Sequence, residues 1–297
     1  MGERVGIAGI GLMGSALSAH LIGAGFEVQG FDVDGKRVDE FAERGGIPVA
    51  SPAEAAKGAK WMVTSLPTSD IVREVVFGDG GIVETAGEGF ILCDASTSRP
   101  EDSERLGAEL GERGIRFLDS AVSGTSTMAW EKDLIIIAGG EKADFDACKP
   151  YFAAMSRAAY HMGPVGSGSV CKLIINLILA ANRLALGEGL VLGTKAGMDM
   201  ETLLTVLKDG ACSSKTMNDK GPKMLDADYS PQGLVRISLK DSRLMLEQGQ
   251  RFGSPMLVTS VWSQVAQAAY NKGLAEKDSV AFYEVLREMA GLDNRAV

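Results

Sequence analysis

The chain of 297 residues is poor in histidine, with two in all, His20 and His161. Neither stands near another candidate ligand, so a histidine-based metal site is not expected and no metal ligands are assigned. His20 reads as a helix residue and His161 as the end of a strand. Cysteine is scarce too. Cys93, Cys148, Cys171 and Cys212 are scattered without ligand spacing, so all four read as reduced, mostly buried thiols of a cytoplasmic protein. Positive charge is outnumbered: 30 Lys and Arg against 39 Asp and Glu leave a formal net charge of −9. A nucleic-acid partner, which needs clustered basic side chains, is therefore not expected. No basic and apolar leader precedes the first strand pattern, which argues against secretion. No run of about 18 or more uncharged apolar residues occurs, so no membrane span is expected. Residues 173–182 are apolar but few, and Arg183 and Glu188 follow.

Glycine, by contrast, is plentiful, and its placement is informative. Gly9-Ile10-Gly11-Leu12-Met13-Gly14 follows an apolar run, residues 5–10, and precedes an apolar-periodic stretch. The first glycine allows a tight turn, the second lets a pyrophosphate approach the backbone, and the third lets the next helix pack on the strand. Asp32 ends the following run, residues 27–31, at about the distance of 20 residues expected for a ribose-binding carboxylate. The segment Gly9, Gly11, Leu12, Met13 and Gly14 with Asp32 thus reads as a dinucleotide site. Asp32 favours NAD over NADP because it would repel a 2′-phosphate, although Lys36 and Arg37 follow closely and would greet one.

The first half alternates strand patterns (residues 4–10, 27–32, 61–65, 90–94, 117–119, 134–138 and 158–161) with helical ones (15–24, 36–44, 52–57, 69–76, 100–113 and 142–155). Such alternation predicts a doubly wound, largely parallel sheet of the Rossmann type with helices on both faces. Three glycines and a proline in residues 163–168 mark a boundary. Beyond it the pattern is helical: 169–196, 200–208, 234–252, 255–272 and 279–289. The expected organisation is an α/β fold, with a dinucleotide-binding domain over residues 1–163 and an all-helical substrate and dimerisation domain over 164–297. The first of the later helices is apolar over most of its circumference near residues 173–181. A helix of that kind must be covered on nearly all sides, which predicts a homodimer or homotetramer.

Five segments carry candidate chemistry. Leu66-Pro67 follows the strand at 61–65, where a doubly wound sheet binds ligands; it also reads as a turn started by proline. In Asp94-Ala95-Ser96-Thr97-Ser98-Arg99-Pro100, Ser98 is expected to cap a helix while Thr97 faces the nicotinamide. Residues 119–127 read as a loop whose small hydroxylated residues and exposed amides make an anion cradle, or simply as a flexible polar loop. Lys172 and Asn176 are four residues apart on one helical face. A lysine among small and apolar neighbours holds its proton less tightly and can exchange it with a substrate hydroxyl; the bland reading is a lysine snorkelling to the surface. Lys240, beside Asp241, could reach an anionic substrate or the cofactor, or lie on a solvated helix face.

Taken together and in order, these segments resemble the β-hydroxyacid dehydrogenase family, typified by 3-hydroxyisobutyrate dehydrogenase and tartronate semialdehyde reductase. The resemblance covers essentially the whole chain. The dinucleotide loop matches residues 9–14. The D-x-P-V-S-G-G loop matches Asp119-Ser120-Ala121-Val122-Ser123-Gly124-Thr125. The G-x-G-x-x-x-K-x-x-x-N signature matches Gly166 to Asn176, and the K-D pair matches Lys240-Asp241. The resemblance implies that Lys172 is the catalytic lysine and Asn176 its partner in substrate binding. It implies that Ser123 and Gly124 grip the substrate carboxylate, and that Thr97 and Lys240 meet the nicotinamide end. The chain departs from the pattern at Ala121, where the family has proline, and at Thr125-Ser126, which replace the second glycine and its neighbour. It departs again at Lys132-Asp133, which replace a glycine before the next strand. The added hydroxyls point to a more polar acid than 3-hydroxyisobutyrate, or to a sulfonate. The Thr125-Ser126 pair is similar to the sulfolactaldehyde reductase branch, which has an arginine where this chain has Gly124. The expected reaction is reversible oxidation of a small anionic hydroxy acid to its semialdehyde. The alternatives are imine reduction, whose enzymes usually lack the lysine, and non-catalytic dinucleotide binding.

Overall fold

The computed structural model describes residues 2–293. In chain order the elements begin β1 (Arg4–Ala8), α1 (Leu12–Gly23), β2 (Glu27–Phe31), α2 (Gly35–Glu43), β3 (Ile47–Pro48), α3 (Pro52–Ala56), β4 (Trp61–Thr64) and α4 (Ser69–Phe77). They continue β5 (Ile91–Asp94), α5 (Pro100–Gly111), β6 (Arg116–Ser123), α6 (Ser126–Trp130), β7 (Ile135–Gly139), α7 (Lys142–Met155) and β8 (Ala158–Gly163). The remainder is helical: α8 (Ser167–Lys195), α9 (Met200–Asp209), α10 (Lys215–Asp226), α11 (Val235–Arg251), α12 (Leu257–Ala269) and α13 (Phe282–Met289). The chain divides into two compact units, Met1–Lys172 and Leu173–Val297.

In the first unit the strands form one sheet in the order β3-β2-β1-β4-β5-β6-β7-β8. Neighbours run parallel except β6 and β7, which are antiparallel. Every residue of β4 and β5 is buried, as strands covered on both faces require. The chain winds outward from β1 in both directions, so the strand ends around β1 and β4 form a topological switch point, where α/β sheets bind ligands. One face packs Leu17, Leu21, Phe145 and Phe152 on Val5, Ile7 and Trp61. The other packs Val72, Val76, Leu106 and Leu110 on Met62 and Leu92. Trp61 stacks on Tyr151 with ring centroids 4.7 Å apart, and its indole N–H donates to the Cys93 thiol at 2.8 Å. Burial pushes the Cys93 thiol well up. All four cysteines are free, but Cys171 is half-buried and Cys212 exposed, so "mostly buried" fits only Cys93 and Cys148.

The sequence pattern misses three features here. β3 has two residues, too few for a periodic signal, and contains Pro48, which lacks a ladder donor. The strand expected over 117–119 spans eight residues, so the motif read as a loop from Asp119 is strand as far as Ser123. The short helix α6 follows where a loop was expected.

The second unit packs its helices around Leu184, Leu190, Leu204, Met224, Trp262 and Phe282. Trp262 meets Phe282 edge-on at 5.0 Å. The sequence pattern passes over α10, whose Gly221-Pro222 resembles a break. Gly221 is required because a Cβ there would lie 2.6 Å from Leu204 of α9. The expected helix over 255–272 ends early, in a π turn at Tyr270–Leu274 with Gly273 at φ +82°. A buried ion pair lies at the heart of this unit: Lys220 Nζ is 3.0 Å from Asp278 Oδ2. Burial pulls the Lys220 ammonium down and Asp278 holds it up.

Of the described helices, α8 is long and apolar enough, by length and composition, to cross a membrane, with mean hydropathy 1.6 over an 18-residue window. The sequence criterion of an uncharged run passes over it because Arg183 and Glu188 interrupt it. Its Leu184, Leu186 and Leu190 are core residues, while Ile174 and Ile178, one turn apart, are 51% and 52% exposed.

Candidate active site

The turn between β1 and α1 shows a different reason for each glycine. Gly9 has φ +89° and no room for a Cβ, which would lie 2.3 Å from the Ser65 carbonyl oxygen. At Gly14 a Cβ would lie 1.9 Å from the Gly9 carbonyl oxygen. At Gly11 it would meet nothing nearer than the Arg37 guanidinium at 3.6 Å. The protein's own packing therefore does not require glycine at that position. α1 begins at Leu12 with no side-chain cap and no acidic residue in its first turn. Its orphan N–H groups and the positive end of its dipole are therefore offered outward, and the cradle fits a pyrophosphate. Met13 lies in the same turn and packs against the core of the sheet.

Asp32 stands at the end of β2 with its side chain 5% exposed. It accepts hydrogen bonds from the Ile10 amide at 2.6 Å and the Asp34 amide at 2.9 Å. The carboxylate thus pins the glycine turn. Arg37 lies 3.7 Å from it.

The ends of β4 and β5 are tied together by hydroxyls. Thr64 donates to Asp94 at 2.9 Å, and the Leu66 amide donates to Ser96 Oγ at 2.9 Å. Leu66 is half-buried and Pro67 exposed. Ser98 does not cap α5 as expected. Its hydroxyl donates to Asp94 at 2.9 Å, and the cap position falls on Arg99 without a side-chain hydrogen bond. The buried carboxylate of Asp94 is a stronger acceptor than the helix is a donor, and it leaves Thr97 half-buried at the turn.

β6 ends at Ser123, followed by Gly124 at φ +154°. The Thr125 hydroxyl accepts from the Met128 amide at 3.2 Å and caps α6, of which Ser126 is the first residue. The expected flexible loop is therefore a capped turn of helix. It closes on Lys132, at φ +59°. There the Asp133 amide reaches the Met128 carbonyl at 2.8 Å, the bond of a Schellman ending. Lysine occupies a left-handed position at which glycine is favoured.

The Gly166-x-Gly168 element has two separate reasons of its own. Gly166 turns the chain at φ +94°. At Gly168 a Cβ would lie 2.2 Å from the Asp119 carbonyl oxygen and 2.7 Å from that of Ile137. The first turn of α8 thus rests directly on the backbones of β6 and β7. Asp119, 1% exposed, accepts from the Gly166 amide at 2.9 Å and the Ser169 amide at 2.6 Å. Lys172, half-buried, follows one turn later.

In the second unit Asn176, on α8, donates from Nδ2 to Asp241 of α11 at 2.9 Å. Lys240 Nζ lies 3.3 Å from the other Asp241 oxygen. Burial pulls the Arg183 guanidinium down, while the Asp278 and Asp241 carboxylates push it back up. Asp241 thus links three of the polar groups on α8 and α11.

Residues 4–163 match the family described as the NAD binding domain of 6-phosphogluconate dehydrogenase. Residues 166–286 match the NAD-binding region of NADP-dependent 3-hydroxyisobutyrate dehydrogenase. The chain belongs to the β-hydroxyacid dehydrogenase family. Among curated relatives, glyoxylate/succinic semialdehyde reductase 1 of Arabidopsis thaliana is 34% identical over 96% of this chain and 98% of its own. The 3-sulfolactaldehyde reductase of Escherichia coli is 29% identical over 97% of each. The solved 3-hydroxyisobutyrate dehydrogenase of Salmonella typhimurium superposes with TM-score 0.88 at 25% identity, covering 95% of this chain and 99% of that one.

As an NAD(P)-dependent β-hydroxyacid dehydrogenase, the chain holds several polar groups that the sequence reading did not single out. Asp94, at the end of β5, and Asp119, midway along β6, are buried carboxylates. The one usable signal is that each directly follows buried apolar residues of its strand, Leu92-Cys93 and Phe117-Leu118, where an acidic side chain has to find donors. The donors to Asp119 at the start of α8 lie 47 and 50 residues away, so no local spacing reveals that carboxylate.

Proposed function

We propose that this β-hydroxyacid dehydrogenase interconverts a small anionic 3-hydroxy acid, or its sulfonate analogue, and the corresponding semialdehyde, with Lys172 as acid–base and NAD as the preferred cofactor. The observation that carries the reading is the seating of the first turn of α8 on β6 and β7. It sets the helix of Lys172 against the strand that ends in Ser123. The nicotinamide, when bound, supplies the hydride acceptor. In oxidation the neutral Lys172 amine takes the hydroxyl proton; in reduction its ammonium returns one to the carbonyl oxygen. Asn176 orients the substrate. Its amide direction is set by Asp241, which receives one N–H. Ser123 and the Gly124 backbone bind the anionic end, and Thr125 and Ser126 add hydroxyl donors that suit a polar acid or a sulfonate, the group named in the E. coli relative. Thr97 and Lys240 serve the nicotinamide end. Leu66 and Pro67 line the cofactor path.

NAD is favoured because a carboxylate after the second strand, Asp32, would repel a 2′-phosphate. The exposed Ile174 and Ile178 of α8 support a homo-oligomer in which a second copy covers this apolar ridge. The presence of Lys172 disfavours imine reduction and pure dinucleotide binding.

The test is a panel in both directions. Oxidation is followed with hydroxyisobutyrate, glycerate, serine, threonate, hydroxybutyrate and dihydroxypropanesulfonate, and reduction with glyoxylate and succinic semialdehyde. Amines are assayed beside them, each with both nucleotides. Turnover of a hydroxy acid or semialdehyde, with kcat/KM at least about tenfold higher for NADH than NADPH, is expected. Turnover of amines alone overturns the reaction, and a clear NADPH preference overturns the role of Asp32.

A further inference from the structure

We infer that Asp119 is a positioning residue of this enzyme: its buried carboxylate holds the first turn of α8, and with it Lys172, against the strand that ends at Ser123. The inference rests on the reading of Lys172 as the acid–base group.

The contact is unusually direct. No side chain separates α8 from the sheet at Gly168 and Gly139. A Cβ on Gly139 would lie 2.4 Å from Asp119 Oδ1 and 2.6 Å from the Pro164 carbonyl oxygen. Two backbones in such contact have few side chains to fix their register, and Asp119 supplies two charge-assisted bonds across it, to Gly166 N and Ser169 N. The donors are orphans of a helix start, and the carboxylate also meets the positive end of the helix dipole. Ser169 is three residues before Lys172, so a slip of the first turn is carried almost undiminished to the lysine.

An ordinary cap sits beside its own helix in sequence, whereas Asp119 reaches this one from another strand, 47 and 50 residues away. Here an ion is kept in a dry place. Burial lifts the Asp119 carboxyl to about 6, against the hydrogen bonds from Ser169 and Gly166 that pull it down. The charged groups on the elements around it are Asp94, its register partner on β5, and Glu104 of α5, which stands beside Gly166. To these are added Arg116 of β6 paired with Asp144 of α7, Lys142, Asp146 and Lys149 in their own cluster on α7, and Lys172 on α8. The two amides are what keep the carboxylate ionised at neutral pH.

Asp119→Asn and Asp119→Glu are compared with the parent enzyme, using succinic semialdehyde and NADH from about pH 5 to about pH 9. For Asp119→Asn, kcat is expected to fall about 10- to 100-fold, the range seen when a group that orients an active residue is lost. NADH affinity stays within about twofold, and the melting temperature at about pH 8 is no lower than the parent's. Asp119→Glu restores the charge but not the reach, and stays impaired. In the reductive direction a lysine acid alone gives a rate that does not fall toward low pH. The parent is therefore expected to lose activity below about pH 6 through Asp119, and Asp119→Asn to lack that limb. Unchanged kcat in Asp119→Asn overturns the inference, as does a joint loss of nucleotide affinity, melting temperature and kcat. Where the variants do not fold, hydrogen exchange on the NADH-bound parent decides. The protection of the peptide covering residues 164–172 is expected to change across about pH 6 beyond the intrinsic rate change, and constant protection overturns the inference. This second readout needs no turnover, so a failure of the Lys172 reading, seen as no activity on any semialdehyde, remains distinguishable.

Discussion

The helices α1 and α8 both begin beside a G-x-G element, and they use it in opposite ways. At α1 the first turn has no side-chain cap, and a Cβ on the middle glycine would touch only the Arg37 guanidinium, at 3.6 Å. At α8 the corresponding amides are already taken by the Asp119 carboxylate, and Gly168 is pressed onto two strand backbones. One helix start is kept for an outside anion. In the other an anion belonging to the protein fills that place. A glycine motif before a helix therefore does not by itself announce phosphate binding. What decides is whether the fold has already spent the amides.

The largest effect expected from this contrast is at Lys172, the residue that the α8 anchor serves. Lys172→Ala should lose about two to four orders of magnitude in kcat while NADH binding, followed by fluorescence, is retained at α1; near-normal turnover would refute the assignment. Next come the two glycines of the α1 turn. Gly14→Ala drives a Cβ to 1.9 Å from the Gly9 carbonyl and should cost about 3 kcal/mol or more of stability. Gly11→Ala should melt like the parent in urea but bind NADH at least about tenfold more weakly. If both fall together in stability, the room at Gly11 has another purpose.

The electrostatic side of the comparison gives a pH dependence. Asp119 has a folded pKa of about 6 against an ordinary value of 3.8, so the native state binds this proton more tightly than the unfolded chain. Its contribution to stability is therefore greatest below about pH 4 and is lost as pH rises to about 6, by up to about 3 kcal/mol. The difference in urea stability between Asp119→Asn and the parent should grow in the variant's favour across that interval and level off above it. A difference that does not change with pH would mean that the carboxylate is not held as described. The smallest effect is at the end of α6. Lys132→Gly should raise stability by about 1 kcal/mol, read as a higher melting temperature, by relieving the left-handed position.

The sequence is most readable where function is local. Gly9 to Gly14, Asp32 and Lys172 to Asn176 stand within single strand–turn–helix units, and pattern and spacing find them. The alternation of strand and helix likewise predicts the doubly wound sheet, because each βαβ unit buries its own apolar face. Reading fails where a side chain's partner is distant or where two rules compete. Ser98 has a cap signal but answers to Asp94. Thr125 sits in a polar stretch that looks like loop yet caps five residues of helix. Gly221-Pro222 looks like a break, but Leu204 of α9 needs the glycine's missing side chain. The link from Asn176 to Asp241 joins residues 65 apart, and only the packing of α8 on α11 makes it.

The placement of the three tryptophans has a practical consequence. Trp61, stacked on Tyr151 with its indole against a thiol, is set to be dim in the native sheet and to brighten when that sheet opens. Trp262, wedged edge-on to Phe282, lights the helical half instead, and Trp130, 46% exposed, watches the turn after Ser123. The enzyme thus carries its own optical reporters, one for each half and one for the segment after Ser123, so unfolding of the two halves can be followed separately without any added dye.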